Sequence, residues 1–187
     1  WKVNVKTPTL FSMCMNRHKK FVNFSSSSVL LDSQTDYSLS KIAAEKIVYS
    51  YGQTSVRPSS VTGVGEQMDH LIPTLIRSCL YGERMPFVPW ATHDFIDVHD
   101  VSKAIPYVIG KNDVFNISSG VTYTNQQVKN LVESVTGKKA NIELTRSLRG
   151  YDTRHWVVNN NVLARMGWMP TKTLLQSIQE MVDDAKR

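Results

Sequence analysis

Apolar residues along this chain switch repeatedly between a helical and a strand period, and that alternation directs it to an α/β architecture. Asn4 to Asn16 reads as a helix with Leu10, Phe11, Cys14 and Met15 as its apolar positions, and Phe21 to Phe24 as a short strand. Tyr37 to Tyr51 reads as a helix with Leu39, Ile42, Ala43 and Ile47 on one face. Ser55 to Arg57 reads as a strand stopped by Pro58. Leu71 to Leu80 is a predicted helix, with Pro73 tolerated in its first turn. Phe95 to Val98 is strand-like, and a helix follows from about Asp100, its second half expected to be disturbed by Pro106. Val114 to Ile117 and Asn141 to Leu144 read as strands, and Asn161 to Met166 as a short helix. Thr124 to Gln127 and Thr173 to Gln176 are capping boxes. The first opens a helix that Gly137 closes; the second opens a final helix whose apolar face is Leu174, Ile178, Met181 and Val182. No internal repeat interrupts the series.

At 187 residues the chain has room for one domain or one and a half. Its 22 Lys and Arg outweigh 16 Asp and Glu, a net charge of +6. That bias suits an anionic small ligand such as a sugar diphosphate, and equally a surface that is merely basic. Arg17, Lys19 and Lys20 cluster without an aromatic strand signature beside them, which argues against nucleic acid. No apolar run approaches the roughly 20 residues of a membrane span. Cys14 and Cys79 have no metal-ligand spacing, so a reducing, cytoplasmic location is expected. His18, His70, His93, His99 and His155 show no ligand spacing either, and no metal is expected. The first residue is Trp1 rather than Met, as in a processed end or a fragment.

Chemistry concentrates at Tyr37 and Lys41. Four residues apart at the start of a helix, they share one face, and a nearby ammonium favours the phenolate of a tyrosine. Spacing alone is a weak signal: Tyr107 and Lys111 repeat it beside Pro106 and Gly110, at a helix end with no serine-rich strand before it. The first pair follows a strand that runs into Ser25 to Ser28, and strand ends are where open α/β sheets bind ligands. A polar strand exit beside a surface Tyr and Lys accounts for the same residues, so the motif alone leaves both readings open.

Collinear blocks extend the pattern. Phe21 to Val29 resembles the strand-and-serine signature of the extended short-chain dehydrogenases, the NAD-dependent nucleotide-sugar epimerase/dehydratase family. Tyr37-Ser38-Leu39-Ser40-Lys41 is similar to the family's active-site pair, followed by the Ala44-Glu45 step. Val56 to Gly65 resembles its Arg-Pro-x-Asn-x-Tyr-Gly-Pro-Gly segment, and His93 to Val101 its Arg-Asp-Phe-Ile-His-Val-Asp-Asp-Val block. Phe115 to Gly120, Arg149 to Arg154 and Met166 to Pro170 resemble three later blocks in the same order.

The resemblance implies a partial Rossmann-type doubly wound sheet plus a smaller carboxy-terminal α/β substrate domain. Residues 1–62 would be the last part of the dinucleotide-binding domain and residues 63–187 the substrate domain, with some chain crossing back. It implies an NAD(P)-dependent epimerase or 4-ketoreductase acting on a nucleotide-diphosphate sugar. Tyr37, Lys41 and Ser26 would be catalytic, with Ser26 placed by counting back four from Leu30. Tyr37, Lys41 and Pro58 would contact NAD or NADP; Ser27, Ser60, His93, Arg149 and Arg154 would contact substrate. Ser27-Ser28 stands where the family's dehydratases carry Asp-Glu, which favours epimerase or reductase. Leu30-Leu31 replaces Tyr-Gly, Ser60 an Asn, Thr62 a Tyr and His93 an Arg. No G-x-x-G-x-x-G turn is present, so weak or no cofactor binding and no activity are expected of this chain alone. The alternative is a non-catalytic, truncated module that binds a nucleotide sugar. The helices at 4–16 and 37–51 resemble those of the family's dimer, and a homodimer through them is expected.

Overall fold

A computed structural model describes residues 1–15, 20–32, 34–146, 156 and 158–187. In chain order the elements are α1 (Thr7–Cys14), β1 (Val22–Phe24), α2 (Asp36–Ser50), β2 (Thr54–Pro58), β3 (Ser60–Thr62), α3 (Leu71–Tyr81), β4 (Met85–Phe87) and β5 (Thr92–Asp97). Then follow α4 (Val98–Val108), β6 (Val114–Ile117), β7 (Thr122–Thr124), α5 (Asn125–Thr136), β8 (Ile142–Leu144), α6 (Asn161–Arg165) and α7 (Leu174–Ala185). They fall into two compact units: Trp1–Ser59, His99–Gly120 and Val158–Pro170 in the first; Ser60–Val98, Val121–Val157 and Thr171–Arg187 in the second. Among the described residues no helix is long and apolar enough to cross a membrane.

The first unit is built on a parallel sheet of order β1-β2-β6. Val56 of β2 pairs with Phe24 on one side and Phe115 on the other, and is fully buried. Helix α2 is capped by Thr35, whose hydroxyl accepts from Ser38 N–H while the Ser38 hydroxyl takes the Thr35 N–H. Its buried residues include Ser40, Ala44, Glu45 and Val48, whereas the predicted row of Leu39, Ile42, Ala43 and Ile47 stays partly exposed. Polar side chains on the buried side find partners: Asn4 Nδ2 donates to Ser40 Oγ at 3.1 Å, and Glu45 is taken up by Arg57 of β2.

Two helix predictions are corrected here. Upstream of α1 the chain forms a π-type turn over Lys2–Lys6 rather than continuing the α-helix back to Asn4. Pro8, in the first turn of α1, has no N–H to give the Asn4 carbonyl, and the turn opens so that Lys6 N–H reaches Trp1 O at 3.3 Å. Pro106 lies inside α4 without stopping it: the bond from Ile109 N–H to Ile105 O at 3.0 Å closes the last turn, so the proline's missing donor costs the helix one bond.

In the second unit β3 pairs parallel and β7 antiparallel with β5, and β4 pairs separately with β8. Helices α3, α5 and α7 bury one apolar cluster that includes Ile72, Leu75, Ile76, Val128, Val132, Ile178 and Val182. Both predicted capping boxes are present, at Thr124/Gln127 and Thr173/Gln176. Gly63 follows β3 with φ +148°, and a Cβ there would lie 2.9 Å from Val98 Cγ1.

Candidate functional site

In the first unit the site begins where β1 ends. Ser25 N–H donates to Val56 O at 2.8 Å, so the chain remains tied to β2 as it leaves the sheet. Ser26 then caps a short 3-10 helix over Ser27–Leu30, where the sequence suggested only a serine-rich strand exit. Ser26 Oγ accepts from Ser28 N–H at 3.1 Å and from the Ser28 hydroxyl at 2.9 Å. A serine hydroxyl has two lone-pair sites and one O–H, so both acceptor sites are used and the O–H remains to donate. Ser27 is buried within this turn, and Pro58 closes β2 opposite Ile117.

The Thr35 cap puts Tyr37 in the first turn of α2 and Lys41 one turn later. The structure brings them together: Lys41 Nζ lies 5.6 Å from the centroid of the Tyr37 ring, which is about half exposed. The same ammonium donates to Phe24 O at 2.8 Å, tying it to the strand end two residues before Ser26. Burial pushes Lys41 below its ordinary range, and the negative charge of Glu45 opposes that. Glu45 is itself gripped at both oxygens by Arg57, at 2.8 Å from Nε and 2.6 Å from Nη2. Glu45 and Arg57 stand inside two of the resembling blocks, where neither has an expected role. The spacing of four between Lys41 and Glu45 was the available signal.

In the second unit Ser60 of β3 and His93 of β5 line one pocket of about 190 Å³ with Val61, Glu66, His70, Leu71, Phe95 and Trp156. The His93 ring sits 5.3 Å from Trp156 and 5.7 Å from Phe95, centroid to centroid. Glu66 accepts from Thr62 Oγ1 at 2.7 Å, and its other oxygen lies 3.1 Å from His70 Nδ1. Burial pushes the Glu66 carboxyl up, against the contacts from Thr62, His70 and the Gly63 backbone. Glu66 and His70 stand four residues apart, which was the available signal, whereas no spacing ties Trp156 to them. Arg149 and Arg154 lie outside the described residues.

Residues 1–118 match the model of the NAD dependent epimerase/dehydratase family. The chain is 28% identical over 165 residues to the low-salt glycan biosynthesis protein Agl12 of Haloferax volcanii, covering 82% of this chain and 53% of that protein. It is 26% identical over 166 residues to UDP-glucose 4-epimerase of Corynebacterium glutamicum, with 78% and 50% covered. The chain thus spans about half the length of these curated relatives. Among solved structures, dTDP-glucose 4,6-dehydratase of Bacillus anthracis in complex with NAD superposes with a TM-score of 0.88 at 24% identity, over 98% of this chain and 67% of that one. MoeE5 in complex with UDP-glucuronic acid and NAD gives 0.87 at 21% identity, over 98% and 71%. At such identities the likeness speaks for the fold, which is α/β of the Rossmann type.

Proposed function

The chain belongs to the NAD dependent epimerase/dehydratase family, and we propose that it carries the Tyr–Lys–Ser part of an NAD(P)-dependent nucleotide-sugar epimerase or 4-ketoreductase. One observation carries this reading: the Lys41 ammonium lies over the Tyr37 ring and is bonded to the strand end that leads into Ser26. Carboxyl ends of parallel strands are where such sheets take their ligands, and β1 and β2 deliver Ser26 and Pro58 there.

The nicotinamide-ribose end of NAD(P) fits this set: an exposed phenol, an ammonium a turn away and a proline closing the neighbouring strand. When bound, the cofactor supplies a hydride acceptor and donor. Tyr37 accepts the proton of the sugar hydroxyl that is oxidised to a ketone, and returns it on reduction. Ser26 donates its remaining O–H to the same oxygen, with Ser27 as the fallback. Lys41 sets a positive charge beside the phenol, stabilising the negative charge that develops there, and reaches the ribose. Arg149 and Arg154 receive the nucleotide diphosphate through their forked donors, and Ser27, Ser60 and His93 contact the substrate. We assign residues 1–62 to the cofactor side and residues 63–187 to the substrate side, with His99–Gly120 and Val158–Pro170 as the chain that crosses back. Ser27-Ser28 in place of an acidic pair favours epimerisation or ketone reduction over dehydration.

In a full-length version loaded with NAD(P) and given a nucleoside-diphosphate sugar, Tyr37→Phe should lower turnover by about 10² or more while leaving sugar-nucleotide binding intact. Unchanged turnover refutes the assignment. Leu30-Leu31, Ser60, Thr62 and His93 depart from the family's residues, which favours a second reading, a module that binds the sugar nucleotide without turning it over. Calorimetric titration of this chain alone with the sugar nucleotide, in parallel with the turnover assay, separates the two.

A further inference from the structure

We propose that Glu45 is a positioning residue for Lys41, locked by Arg57 so that the helix turn between them is fixed against the sheet and the Lys41 ammonium sits in the field of a buried carboxylate. Its relevance to catalysis rests on the Tyr37–Lys41 reading above; the geometry stands without it.

Glu45 follows Lys41 by one helical turn, so the two side chains lie on neighbouring positions of one face of α2. The Glu45 side chain is only 5% exposed, and both of its oxygens are held by the Arg57 fork. A bidentate pair of this kind leaves the carboxylate no freedom to rotate. Lys41 is tied in turn to Phe24 O on β1. Phe24 pairs in register with Val56, the residue before Arg57. The polar ties therefore close a ring: β1 to Lys41, along one turn of α2 to Glu45, across to Arg57 on β2, and back to β1 through the sheet. Each tie goes to a different strand, so the turn that carries Lys41 can neither roll nor slide without breaking one of them.

The same arrangement fixes the charge around Lys41. From α2 it lies over the Tyr37 ring and feels the charge of Glu45, from β1 it meets the carbonyl of Phe24, and the Arg57 guanidinium on β2 is bonded to Glu45. Burial works against the ammonium and the Glu45 carboxylate works for it. Arg57 holds that carboxylate in place while partly offsetting its charge. Removing either partner should therefore weaken the field on Lys41 and lower it further, whereas simple loosening of the helix would relieve its burial and raise it.

The test is pulse acetylation of this chain with acetic anhydride across a pH series, with modification of Lys41 read by mass spectrometry of its peptide. Glu45→Gln should shift the Lys41 profile to lower pH, with about threefold or more extra labelling near pH 9. Arg57→Gln should shift it the same way by a smaller amount, because the carboxylate is freed to turn away or take up a proton. Glu45→Asp keeps the charge and provides the folded control should the Gln variant not fold; its profile should stay within about twofold of wild type. A shift to higher pH in Glu45→Gln or Arg57→Gln, no shift in either, or a change in Glu45→Asp larger than twofold would overturn the proposal. If labelling behaves as expected but turnover of the cofactor-loaded protein is indifferent to Tyr37→Phe, the positioning stands and the catalytic reading of the pair falls.

Discussion

Ser26 shows how a local structural duty and a chemical one share a single hydroxyl. Its lone pairs cap the 3-10 turn, and its O–H is left to donate. Ser26→Ala should lower kcat of the cofactor-loaded protein by about 10-fold or more with sugar-nucleotide binding little changed. It should also cost about 1 kcal/mol of stability through the lost cap, read by urea unfolding. Gly63 is constrained for a steric reason. At φ +148° with Val98 Cγ1 2.9 Å from where a Cβ would stand, Gly63→Ala should cost about 2 kcal/mol and lower Tm by roughly 5 °C. The Tyr37–Lys41 pair was legible because a helix converts a spacing of four into a shared face. The bond from Lys41 to Phe24 O was not, because a backbone acceptor leaves no mark on the sequence. Nor was the pocket joining His93 to Trp156, since those residues meet only through tertiary folding.

Among the helices, α5 is the best defined by its own sequence: a Thr–Gln box opens it and Gly137, with φ +69°, closes it. Glu133 near its end is buried, and burial alone would raise its carboxyl. Hydrogen bonds from Lys129 and Lys139 and from the Ala140 N–H outweigh that and bring it from 4.5 down to about 2. A folded value below the unfolded one gives stability that is complete above about pH 4.5 and is lost as pH falls toward 2. Discounting the exposed Lys139, Glu133→Gln should destabilise by about 2 kcal/mol at pH 7. The gap from wild type in urea midpoint should hold down to about pH 5 and narrow below it; a gap independent of pH would show that the charge is not its cause. Long amphipathic helices with caps could be read from the sequence, whereas β3, β4 and β7 could not. β1 and β8 are equally short but carry two apolar residues each, whereas β3 and β7 carry one between hydroxyl residues and β4 holds Pro86, so these three are strands because a partner strand pairs with them.

For the whole molecule, we propose a second copy of the chain as the partner of exposed apolar surface on α1 and α2. Leu10, Phe11 and Met13 on α1 and Leu39 and Tyr49 on α2 are each 44% exposed or more, within the two segments expected to dimerise, 4–16 and 37–51. Sedimentation at micromolar concentration should give a dimer, and Leu39→Glu a monomer; a wild-type chain that is monodisperse and monomeric would count against this interface. The most direct test of the proposed chemistry is a single turnover. Protein loaded with oxidised cofactor is mixed with a nucleoside-diphosphate sugar, and nicotinamide absorbance is followed in wild type and in Tyr37→Phe. Reduction of the nicotinamide in wild type and its loss in the variant, at equal sugar-nucleotide binding, is the expected result. Equal rates of reduction in the two proteins would contradict it.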